Sequence, residues 1–153
     1  MLLFALVAGI SCGTSQAQQA GQDVSGLIEA KRYVFVAQSA NPMGGRFRQL
    51  NTGEYDVRVS PDSVVSFLPF FGRAYSAPID PSSSGIQFTS TNFEYRQTPR
   101  KKGGWNIVIE PKDAQDVRQL TFVVSENGNA SLQVISNNRQ SVSFNGRVQA
   151  RNR

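Results

Sequence analysis

The chain has 153 residues and a formal charge of +5, and it contains no histidine and a single cysteine, Cys12. That length suits one domain with a real core and not two. The absent histidine excludes Ser-His and Cys-His nucleophile pairs and His-ligated zinc or iron, and the lone cysteine excludes an internal disulfide. The basic balance implies a general attraction to anionic surfaces and selects no partner.

The chain opens on an apolar run, MLLFALVAGI, followed by small and polar residues, SCGTSQAQQA. The run is shorter than the roughly 20 residues a spanning helix needs, and it has the shape of a secretory signal peptide without its basic start. Ser15 and Ala17 supply the small side chains for cleavage before Gln18. Residues 1–17 are therefore read as a signal peptide, 18–24 as a flexible lead-in and 25–150 as one β-barrel domain. The alternative is a lipoprotein signal ending before Cys12, with Cys12 lipidated after Ser11; Gly9 stands where such signals usually carry Leu. Either route exports the chain, to the periplasm or an outer-membrane-associated position.

VSGLIEAKR, 24–32, places Val24, Leu27, Ile28 and Lys31 at helical spacing and predicts a short helix. Beyond it the period changes to two. Tyr33, Phe35 and Ala37 share one face, as do Tyr55, Val57 and Val59. Trp105, Ile107 and Ile109 form the next such set, followed by Leu120, Phe122 and Val124, by Ala130, Leu132 and Val134, and by Val142 and Phe144. Alternation of this kind is what half-buried antiparallel strands require. Thirteen glycines and seven prolines supply the turns between them. The fold class is all-β, an antiparallel barrel of about eight strands with a short N-terminal helix.

Three hairpins can be registered. A three-residue loop Lys102-Gly103-Gly104, with Gly104 left-handed, sets Arg96 opposite Glu110 and Glu94 opposite Lys112; a five-residue opening would set Glu94 against Glu110. The charge pairing favours the first. A loop Glu126-Asn127-Gly128 pairs Val124 with Ala130, Phe122 with Leu132 and Leu120 with Val134. A loop Asn137-Asn138-Arg139 pairs Val134 with Val142 and Leu132 with Phe144.

VVSFLPFFG, 64–72, breaks the alternation. It reads as a strand apolar on both faces or bulged, with Pro69 marking an edge or a bulge. The patternless stretch up to Gly85 is long for a loop, and loops of that length are functional or disordered. Phe70, Phe71, Arg73 and Tyr75 are the candidate ligand-binding residues, an apolar wall with an arginine for an anionic head group. The competing reading makes the phenylalanines core and pairs Arg73 with Asp80.

Other chemistry is weakly signalled. PRKKGG lacks the order and the following helix of a phosphate loop, and Lys101 and Lys102 read as a solvated turn. Glu94 and Glu110 fall on the polar faces of their strands beside basic residues, which argues against a carboxylate pair for hydrolysis. No catalytic residue, metal site or cofactor is expected, and nucleic acid is not an expected partner. The remaining partners are a small apolar ligand, an envelope protein or a glycan, with membrane contact only through a lipid anchor on Cys12.

EAKRYVFVAQSANPMGGR, YDVRVSPDSVVSFLPFFGRAYSAP, TPRKKGGWNIVIEPKD and VRQLTFVVSENGNASLQVISNNRQSVSFNG together resemble the bacterial envelope family catalogued as domain of unknown function 4251. The resemblance runs from about Ile28 to Gly146. It implies an exported protein of Gram-negative bacteria with a lipocalin-like barrel, and it implies no activity and no catalytic residues.

Overall fold

The structure, a computed structural model, describes residues 23–51, 53–71 and 85–151. Among the described residues one helix, α1 (Val24–Glu29), precedes ten strands. These are β1 (Tyr33–Pro42), β2 (Arg48–Gln49), β3 (Asp56–Val59), β4 (Val64–Leu68), β5 (Ile86–Ser90), β6 (Phe93–Pro99), β7 (Trp105–Pro111), β8 (Val117–Val124), β9 (Asn129–Ser136) and β10 (Val142–Gln149). All pairings are antiparallel, in the order β5-β4-β3-β1-β10-β9-β8-β7-β6, with β2 attached to β1. The sheet curls into a nearly closed barrel. Ten strands replace the expected eight because β2 is a two-residue edge piece and because 86–99 is divided by a bend.

That bend is how the barrel comes round. β5 and β6 stand at opposite ends of the strand order, yet only Thr91 and Asn92 separate them. One extended segment thus pairs with β4 through its first half and with β7 through its second. Asp113, beyond the end of β7, holds the bend: its carboxylate accepts hydrogen bonds from the Ser90 hydroxyl and from the backbone N–H groups of Thr91 (3.0 Å) and Asn92 (3.2 Å). The Ser90 hydroxyl, followed by the Thr91 amide, keeps the Asp113 carboxyl below the ordinary carboxylate range.

α1 ends earlier than the periodicity suggests. Lys31 adopts φ 53, with its N–H donating to the Ile28 carbonyl and the Arg32 N–H to that of Leu27, a Schellman closure built without glycine. The Lys31 ammonium lies 4.8 Å from the Tyr95 ring centre. Val24 and Ile28 join the core, so the helix covers the barrel end where β1 starts.

Every inward set named above faces the core, with Tyr55 and Trp105 only partly buried and the other members buried. Tyr33, Phe35, Ala37, Ile107, Ile109, Leu120, Phe122, Val124, Leu132, Val134 and Phe144 have no more than trace exposure. Phe122 meets Tyr33 and Phe35 edge-on, at 6.3 and 5.6 Å between ring centres. The hairpins at Glu126–Gly128 and Asn137–Arg139 have the expected pairing.

The β6–β7 register differs from the favoured one. Glu94 stands opposite Glu110, and Arg96 opposite Val108. The turn is closed by Arg100 and Gly104, with Gly103 N–H donating to the Arg100 carbonyl at 3.2 Å, the same geometry in which Gly128 N–H donates to Ser125. The left-handed residue of the loop is thus Gly103 (φ 88), and Gly104 (φ 85) follows it, also left-handed. Sliding the glycine by one position moves the register by two, which preserves every inward side chain, so alternation had no power to choose. The charges lose nothing by the change. Glu110 reaches Arg96 diagonally at 2.6 Å, and Lys112 sits 3.5 Å from both Glu94 and Glu110.

β4 also corrects the sequence reading. Val64, Ser66 and Leu68 point inward while Phe67 is exposed, so the strand alternates after all. It is an interior strand, between β3 and β5, and Pro69 lies just past its end, where no ladder bond is required.

Candidate functional site

The end of the barrel opposite α1 carries the candidate residues. Past Leu68 the chain places Phe70 and Phe71 half-buried against the core. Each ring has a guanidinium over it. Arg139, from the β9–β10 turn, lies 5.0 Å from the Phe70 centre, and Arg48, from β2, lies 4.8 Å from Phe71. Such contacts are worth about 0.5–1 kcal/mol at exposed sites and more where desolvated.

Arg139 is also a clamp. Its Nε is 2.8 Å from Asp116 Oδ2, ahead of β8, and its terminal nitrogen donates to the Gly85 carbonyl at 3.1 Å, ahead of β5. Its side chain is mostly buried, so one arginine ties the end of β4, the start of β5 and the start of β8. Neither Arg139 nor Arg48 was singled out in the sequence. No motif marks them, and their roles arise from segments far apart in the chain. Arg73, Tyr75, Asp80 and Cys12 lie outside the described residues.

The groups with chemical potential elsewhere have structural explanations. Tyr33 and Tyr95 bring their hydroxyls to 3.3 Å, and burial pushes both phenols up, so the pair stays protonated. Glu94 and Glu110 lie on the outer face beside Arg96 and Lys112. Two shallow grooves, of about 460 and 300 Å³, run along the outside of the sheet and are lined mainly by outward residues such as Gln38, Ser131 and Asn145 in one and Arg118, Gln119 and Asn137 in the other. Trp105, beside the Lys101–Lys102 turn, is half-buried against the core. Asn129-Ala130-Ser131, which reads as a glycosylation sequon, lies inside β9.

The profile of the family described as domain of unknown function (DUF4251) matches residues 15–148. The chain belongs to the DUF4251 family. A crystal structure of a DUF4251 family protein from Bacteroides eggerthii is similar to it, with 15% identity, a TM-score of 0.63, and coverage of 84% of this chain and 85% of that one. At that identity the likeness speaks for the fold alone. No curated protein matches the chain. What the DUF4251 proteins share with this chain here is architecture.

Proposed function

We propose that this DUF4251 protein is a noncatalytic barrel of the cell envelope whose interior is structural and whose outer surface does its work, as an interaction module for an envelope protein or glycan. The observation that carries this reading is the packing of the core rings: Tyr33, Phe35, Phe122 and Phe144 are wholly buried, and the rings of Tyr33 and Phe35 meet Phe122 edge to face. A barrel of this size either holds one small ligand or is filled by its own side chains, and wholly buried rings packed on one another support the second. The export and the periplasmic or outer-membrane-associated location rest on the N-terminal sequence, as does lipidation at Cys12. The assignment as noncatalytic is supported by the ion-paired, outward positions of Glu94 and Glu110.

A second reading has one observation in its favour. Phe70 and Phe71 are incompletely buried and carry Arg139 and Arg48 over their rings, an apolar wall topped by cations that suits an amphipathic ligand with an acidic head. Arg73 and Tyr75 are the further residues that the sequence offers for this reading. Native mass spectrometry of the protein purified from envelopes, produced with its own leader, separates the two. The filled barrel gives the bare polypeptide mass. An adduct that disappears on denaturation, and is lost in Phe71→Ala with the fold intact, establishes the second reading and sinks the first.

A further inference from the structure

The hairpin joining β1 to β2 has features that the fold does not require. Pro42 to Gly45 form a turn in which Gly45 N–H donates to the Pro42 carbonyl at 3.1 Å, with Gly44 at φ 71. Met43 N–H donates to the Ser141 carbonyl at 3.3 Å, which anchors the base of the turn against β10. Past that anchor the side chains face water. Met43 is 66% exposed and Phe47 61%, the highest values among large hydrophobic residues described.

Along the hairpin itself the charge has one sign. Arg46 and Arg48 flank Phe47, and no aspartate or glutamate occurs between Glu29 and Glu54. Among the described residues neither arginine forms an ion pair with a carboxylate, whereas Arg58, Arg96, Lys112 and Arg139 all do. Arg48 rests on Phe71, which fixes its charge on the same end of the barrel. β2 pairs with β1 over only two residues, so the tip projects from the sheet without widening into a platform.

We propose that this hairpin, 42–49, docks on an anionic lipid surface, with Met43 and Phe47 entering the boundary between head groups and acyl chains and Arg46 and Arg48 meeting the phosphates. Apolar side chains beside cations are what binding in the plane of an anionic interface requires. A protein interface would want about 800 Å² of complementary surface on this side, and a narrow tip with two apolar side chains supplies little of that. A single-stranded nucleic acid would want several stacking rings in a basic groove, and Phe47 is one ring. α1 covers the other end of the barrel, so docking through the hairpin gives the molecule a defined orientation. The inference is independent of whether the interior is filled.

The test places a reporter at the tip of the full chain. Trp105 is the one tryptophan, so Phe47→Trp in a Trp105→Phe background emits from the hairpin alone. With vesicles of mixed phosphatidylglycerol and phosphatidylcholine the emission shifts to the blue and brominated acyl chains quench it; with phosphatidylcholine alone it does neither. Adding Arg46→Ser and Arg48→Ser raises the lipid concentration needed by about thirtyfold, from roughly 1 kcal/mol per cation. Lys102→Trp in the same background, in the β6–β7 turn at the α1 end, keeps the emission of a tryptophan in water. Where Trp105→Phe impairs folding, quenching of Phe47→Trp with Trp105 retained, less that of the unaltered chain, reads the same position. Emission at residue 47 that stays water-like with anionic vesicles overturns the proposal, whether or not the leader carries the protein onto them. So does an equal shift at residues 47 and 102.

Discussion

Phe122→Ala is the sharpest probe of whether the interior is packed or left open for a ligand. The Phe122 ring is wholly buried and sits edge-on to Tyr33 at 6.3 Å and to Phe35 at 5.6 Å. Removing a buried phenylalanine ring costs about 3–5 kcal/mol, from lost transfer energy and the cavity left behind. Aromatic pairs of this geometry are worth about 0.5–1.5 kcal/mol beyond their burial, and two of them place this site near 5 kcal/mol. In a domain of this size each 1 kcal/mol lowers Tm by about 2–4 °C, so the expected loss is about 10–20 °C. Phe122→Leu, closer in volume, costs about 1.5 kcal/mol. Urea unfolding followed by circular dichroism measures both, with m unchanged as the sign that only stability has moved. A loss below about 1 kcal/mol for Phe122→Ala would refute the reasoning, because a ring bordering empty or ligand-accessible space leaves little new cavity behind.

The remaining predictions concern the two corners that set the register and the closure. Gly104→Val destabilises the β6–β7 hairpin, since a side chain at φ 85 is strained and its Cβ would fall 2.0 Å from the Val124 carbonyl oxygen; a thermal melt should show a loss of about 2 kcal/mol or more, and an unchanged melt would contradict the turn described. Asp113→Asn should flatten the acid limb of the stability curve. The Asp113 carboxyl is held below its ordinary value of 3.8, so its contribution is fully present above that value and is lost as pH falls through the lower folded-state value. Denaturant curves for the two proteins should therefore differ most at neutral pH and converge once the pH has fallen below the lowered folded-state value; a difference that persists at the lowest pH would mean that the carboxylate does not hold the bend.

Alternation is a local property of the chain, and it is where the sequence was most informative. A residue two along in a strand returns to the same face whatever its partner, so Leu120, Phe122, Val124, Leu132 and Phe144 could be assigned inward without knowing what they touch. The loop Glu126-Asn127-Gly128 could be registered because its single glycine leaves one left-handed position. The adjacent pair Gly103 and Gly104 offered two, and the registers they allow keep the same faces inward. The choice between them shows only in which residues of β6 and β7 meet, which no local reading contains. The candidate site was legible only in part. Phe70 and Phe71 stood out as an apolar cluster, whereas Arg139 and Arg48 arrive over them from strands and turns distant in sequence. The sequence by itself thus determined the strand faces, most of the turns and the absence of histidine chemistry, because these depend on residue type and spacing. The tertiary structure alone decided the β6–β7 register, the bend at Thr91–Asn92 that brings the barrel round, and the cations over the phenylalanine rings, because each depends on which distant segments meet.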